Sequence, residues 1–77
     1  MKLHYYPETD SLYIDLSERG ATDSREVAPG VVLDFDQEGR LVGIDIDKAS
    51  QVVALTQLEA LELPIRAITV GAAPVTT

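Results

Sequence analysis

The strongest constraint on this chain is an alternation with a period of two that runs from Val31 to Asp47 and turns back about Glu38-Gly39. With the turn centred on that dipeptide, Val31, Leu33 and Phe35 share a face with Val42, Ile44 and Ile46. Successive side chains of a strand point to opposite faces, so a slip of one residue would scatter all six. Gly39 can adopt the positive φ that a tight hairpin requires. The opposite face then carries Asp34, Asp36, Gly43, Asp45 and Asp47. The period therefore predicts an antiparallel sheet with an apolar inner face and a wet, acidic outer one.

A second hairpin is predicted upstream. Residues 2–6 and 11–16 are rich in aromatic and β-branched side chains and flank the turn signal Pro7-Glu8-Thr9-Asp10. That loop length sets Tyr5 opposite Leu12, Leu3 opposite Ile14, His4 opposite Tyr13, and Lys2 opposite Asp15 as a surface ion pair. Residues 18–25 lack apolar periodicity and read as a mobile loop between the hairpins. Downstream, Asp47-Lys48-Ala49-Ser50 can begin a helical turn, and Thr56-Gln57-Leu58-Glu59 fits a capping box. With Leu55, Leu58 and Leu61 on one stripe and Pro64 as a stop, a helix is expected to cover the sheet. Residues 65–70 are β-branched enough for a fifth strand, either at the sheet edge or paired with another copy of the chain. The expected fold class is α+β: a four-stranded antiparallel β-meander with short C-terminal helical segments over one face. Residues 1–70 form the single domain and 71–77 a flexible tail.

Composition bounds function. A chain of 77 residues holds one small domain and little room for a deep pocket. Thirteen acidic against six basic residues give a formal charge of -7, a field that repels nucleic acid and anionic membrane surfaces and attracts a small basic protein. Without cysteine there is no disulfide, thiolate metal site or cysteine nucleophile. The start, Met1-Lys2-Leu3-His4-Tyr5-Tyr6, has no apolar signal core, and no apolar run is long enough to span a membrane, so a cytoplasmic location is expected.

Two stretches have a recognisable outline: Tyr6-x-x-x-Asp10-x-Leu12-Tyr13-Ile14, then Asp36-x-x-Gly39-Arg40-Leu41-Val42-Gly43-Ile44-Asp45-Ile46, closing with Ala49-Ser50. In these residues the chain resembles the prokaryotic family termed domain of unknown function 2283, over roughly the first two thirds of its length. It departs from the pattern at Pro7, where an acidic residue is usual, and at Asp45, where glutamate is commoner. The resemblance implies a small β-rich domain with no assigned functional residue. Some relatives are encoded beside small toxin-like proteins, which implies an antitoxin-like role.

Three constellations could carry chemistry. His4, the only histidine, falls opposite Tyr13 and diagonal to Ser11 and Asp15, but an open sheet supplies no oxyanion hole, so no catalytic activity is expected. Asp34, Asp36, Asp45 and Asp47 offer oxygens to a hard cation, yet they are spread along strands without a calcium-loop pattern, so no metal or cofactor is expected. Tyr6, Tyr13 and His4 beside Asp34 and Asp36 suit an Arg or Lys side chain through cation–π and charge contacts. These five are the candidate partner-binding residues of an interaction module. The alternative is a homo-oligomeric, dimeric, structural or ligand-sensing domain that associates through residues 65–70.

Overall fold

The computed structural model describes residues 1–64. They form a five-stranded, wholly antiparallel sheet in the order β1-β2-β5-β4-β3, with one four-residue helix. The strands are β1 (Lys2–Tyr6), β2 (Ser11–Asp15), β3 (Asp23–Ala28), β4 (Val31–Phe35) and β5 (Leu41–Ile46), and the helix is α1 (Ala49–Val52). The architecture is thus almost all β rather than an α+β meander of four strands.

The first hairpin has the expected pairing at every position, from Lys2 opposite Asp15 to Tyr6 opposite Ser11. β5 then pairs with both β2 and β4, which aligns a row Leu3–Ile14–Ile44–Leu33 and beside it Tyr5–Leu12–Ile46–Val31 on one face. His4, Tyr13, Asp45 and Val32 form the corresponding row on the other face, next to Asp15, Gly43 and Asp34.

The second hairpin reaches its predicted register by a different route. Its loop is three residues, not two: Gly39 donates to the Asp36 carbonyl (3.0 Å), and the Asp36 amide donates to the Arg40 carbonyl (2.8 Å). Gly39 at φ 81° closes that turn. Phe35 consequently faces Leu41, while Asp34 faces Gly43, so Val42 is an extra residue on β5. This bulge returns the strand to the register that buries Ile44 and Ile46 on the inner face.

The structure corrects two expectations. The last three residues of the segment expected to be a mobile loop are edge strand: Asp23, Ser24 and Arg25 begin β3 and pair with Phe35, Asp34 and Leu33. The missed signal was Pro29-Gly30, in which proline followed by a glycine at φ 77° provides type II turn chemistry between β3 and β4. The helix predicted from Thr56 to Pro64 is also absent; α1 is the helix among the described residues, and Leu58 and Leu61 are exposed beyond it. A stripe of three leucines with few neighbours to bury against cannot offset the cost of nucleating a short helix. The predicted strand over 65–70 and the tail over 71–77 lie outside the described residues. No helix among those described is long and apolar enough to cross a membrane.

Among the described residues the buried apolar ones are few: Leu12, Val42, Ile46 and Ala49. Ala49 seats α1 on Leu12 and Ile46, with Ile14, Ile44 and Val53 packed around them. The helix thus covers one end of the apolar face, and the remainder is partly buried, with Leu3 and Tyr5 exposed at its edge.

Candidate functional site

The outer face is organised by a close approach at Gly43. A Cβ built there would lie 2.6 Å from Tyr13 Cζ and closer still to the hydroxyl, so only glycine lets the Tyr13 ring cross β5. Crossing it, the Tyr13 hydroxyl donates to Asp34 Oδ2 on β4 (3.0 Å), and Ser24 Oγ on β3 donates to Asp34 Oδ1 (2.7 Å). Tyrosine, carboxylate and serine therefore bind four adjacent strands together across the sheet. Partial burial, and then the hydrogen bond to Asp34, push the Tyr13 hydroxyl up to about 12. Tyr13 acts here as a neutral donor and not as a base.

Beside this ring lies a shallow, open concavity lined by Tyr6, Thr9, Ser11, Tyr13 and Asp45. His4 stacks on Tyr6, with centroids 4.3 Å apart and planes inclined by 7°, at its rim. Side chains two apart on one strand share a face, which is why His4 meets Tyr6 rather than only its cross-strand neighbour Tyr13. Tyr6 and His4 are exposed, as is Asp45. Among the described residues, no ion pair reaches Asp34 or Asp45, and the expected Lys2–Asp15 pair does not form.

Asp36 does not belong to this surface. It is 7% exposed, and its Oδ1 accepts the backbone amides of Glu38 and Arg40 (both 2.9 Å). Its Oδ2 accepts Arg19 Nε (2.8 Å) and Arg40 Nε (3.0 Å). The Arg40 amide first, then the Glu38 amide and the Arg40 guanidinium, hold the carboxyl down at about 2 against the opposing effect of its burial. The alternation placed Asp36 on the wet face, but the strand ends at Phe35, and Asp36 is the first residue of the turn, where its side chain folds back over the loop it caps.

A second cluster was not foreseen as one. Asp10, at φ 53°, receives the Tyr5 hydroxyl on Oδ1 (2.7 Å), the Ser50 amide on Oδ1 (3.1 Å) and the Ser50 hydroxyl on Oδ2 (2.7 Å). Its carbonyl accepts the Ala49 amide (2.8 Å). The Ser50 hydroxyl, followed by the Tyr5 hydroxyl, lowers the Asp10 carboxyl below the ordinary carboxylate value, while the same contact raises Tyr5. This clasp explains why Asp10 and Ala49-Ser50 recur in one motif 40 residues apart: the first turn closes on the amides that open α1.

The motif residues thus fall into three structural roles, and the outline they make can be compared with known sequences. The family described as "Protein of unknown function (DUF2283)" matches residues 2–50. The chain belongs to the DUF2283 family. No curated protein and no solved structure matches it. Within this DUF2283 domain, Gly39 and Asp36 form the turn, Gly43 and Tyr13 the crossing, and Asp10 with Ser50 the clasp. All lie in the matched region.

Of the predicted site residues, the structure brings Tyr6, Tyr13 and His4 together, keeps Asp34 beside them but bound to Tyr13 and Ser24, and removes Asp36. The nominal catalytic set does not assemble. Ser11 Oγ is engaged with Thr9 Oγ1 (2.9 Å), and His4 stacks on Tyr6 instead of meeting Ser11 or Asp15. Among the described residues no three His, Asp or Glu side chains converge on a metal position.

Proposed function

We propose that this DUF2283 domain is a non-catalytic protein-interaction module whose outer sheet face receives a basic side chain of a small basic protein, in an antitoxin-like role. The observation that carries this reading is the concavity of Tyr6, Thr9, Ser11, Tyr13 and Asp45, in which two aromatic rings flank an exposed carboxylate that no cation of the described chain neutralises. Aromatic faces and a free carboxylate together suit an arginine or lysine, and the overall charge of -7 accelerates its approach. His4 extends the aromatic rim. Asp34 contributes negative potential, since its oxygens are held by Tyr13 and Ser24, and Asp36 contributes no contact.

Native co-purification tests the reading. The wild-type chain is expected to retain one small basic protein in fixed stoichiometry, Asp45→Lys to release it, and co-expression to relieve any growth arrest that the partner causes alone. Recovery of the chain without a partner, or a partner held equally by Asp45→Lys, overturns it.

A further inference from the structure

We infer that the concavity on the outer face selects arginine over lysine, so that the side chain it takes from a partner is a guanidinium. This rests on the reading above, in which the concavity receives a basic side chain, and adds which one. Its ground is the hydrogen-bond inventory of the lining side chains, whose polar hydrogens are almost all spent within the chain. Thr9 Oγ1 donates to Ser11 Oγ (2.9 Å), Ser11 Oγ donates to the Thr9 carbonyl at a longer 3.5 Å, and the Tyr13 hydroxyl donates to Asp34 Oδ2 (3.0 Å). The Thr9 amide is taken as well, by the Tyr6 carbonyl (3.3 Å). Apart from the Tyr6 hydroxyl at the tip of its ring, the lining side chains offer acceptors: the lone pairs of the two turn hydroxyls at one end and the Asp45 carboxylate at the other. A ligand that matches such a wall brings several donors and a positive charge.

Spacing separates the two candidate cations. Tyr13 stands directly opposite Asp45, so Ser11, two residues before Tyr13 on β2, is a diagonal neighbour of Asp45. Diagonal neighbours lie about 7–8 Å apart, whereas two hydrogen bonds to one nitrogen span about 6 Å between their acceptors. An ammonium, with a single nitrogen, therefore engages one end of the wall at a time. A guanidinium spreads five N–H groups over three nitrogens in one plane, so its fork meets the Asp45 carboxylate while its other edge reaches the turn hydroxyls. The same plane lies flat on an aromatic ring, which an ammonium cannot do. His4 covers one face of Tyr6 at 4.3 Å, and the Tyr6 side chain is exposed, so its other face is the one a ligand uses. Tyr13, laid over Gly43 and tied to Asp34, holds its place before any ligand arrives, which lowers the cost of ordering the site.

Titration of the isotope-labelled full chain with acetyl-Gly-Arg-Gly-amide and, separately, acetyl-Gly-Lys-Gly-amide at one ionic strength tests the selection, read from the backbone amide resonances. The arginine peptide is expected to shift the amides of Thr9, Ser11, Tyr13 and Asp45 and to bind about fivefold or more tightly than the lysine peptide. Ser11→Ala removes an acceptor at the end away from Asp45 and is expected to draw the two affinities together, whereas a general loss of structure would weaken both alike and keep their ratio. Asp45→Asn is expected to weaken both peptides. Equal binding of the two peptides at these residues, or a ratio unchanged in Ser11→Ala, overturns arginine selection and leaves the reading of a basic-side-chain site standing. Binding of neither peptide, or shifts confined to other residues, overturns both.

Discussion

At the scale of single residues, Asp36 and Gly43 show how a short sheet is made specific. Asp36 accepts two amides of its own turn and the Nε groups of Arg19 and Arg40, so one carboxylate joins the β4–β5 turn to the segment leading into β3. Its folded pKa of about 2 lies below the ordinary carboxylate value, so the unfolded chain binds the proton more readily than the folded one. The contribution of Asp36 is therefore complete above about pH 4 and is lost as pH falls from there to about 2. Asp10 is displaced in the same direction and adds to the same acid limb. Thermal melts against pH are expected to show a steep fall in Tm across that window. Asp36→Asn is expected to lower Tm by several degrees at neutral pH and to flatten the fall; an unchanged acid slope would contradict the assignment.

At the scale of elements, α1 is too short to persist by its own hydrogen bonds and is held by what it touches. No side chain of its own caps it, Lys48 before it is at φ 50°, and the partner for its first amides is Asp10 at the end of the first turn. The clasp thus couples the β1–β2 turn to the helix that packs on the Leu12–Ile46 end of the sheet. Ser50→Ala removes the hydroxyl donor and leaves the Ser50 amide and Tyr5 contacts, so a loss of about 1 kcal/mol is expected in urea unfolding. Amide exchange of residues 49–53 should accelerate by more than that of β5, because the cost falls on docking of the helix and not on the sheet. Uniform acceleration across both would place the cost elsewhere.

At the scale of the whole molecule, the described residues bury few apolar side chains, namely Leu12, Val42, Ile46 and Ala49. Leu12→Ala empties the position beneath α1 and is expected to cost about 2–5 kcal/mol, a large fraction of what a domain of this size possesses. Val27, the extra residue of the β3 bulge, is 54% exposed, so Val27→Thr should stay within about 0.5 kcal/mol of wild type. Chemical denaturation of both variants measures the contrast, and equal effects would mean that the core lies elsewhere.

The sequence alone determined the two hairpins, every pairing of the first and the inward set of the second, because a period of two leaves one register that gathers the apolar side chains. It also determined family membership, through turn and core residues at fixed spacings. Tertiary structure decided the rest. Whether residues 23–28 join the sheet depends on β4 offering a free edge, and whether Leu58 and Leu61 make a helix depends on there being a surface to bury them. Asp36 and Asp34 share a residue type and a parity, yet one lies buried in a turn and the other on a strand. What separates them is that β4 ends at Phe35, so Asp36 opens the three-residue turn and folds back over it, and where a strand gives way to its turn is settled by how the neighbouring strands pair rather than by the alternation alone.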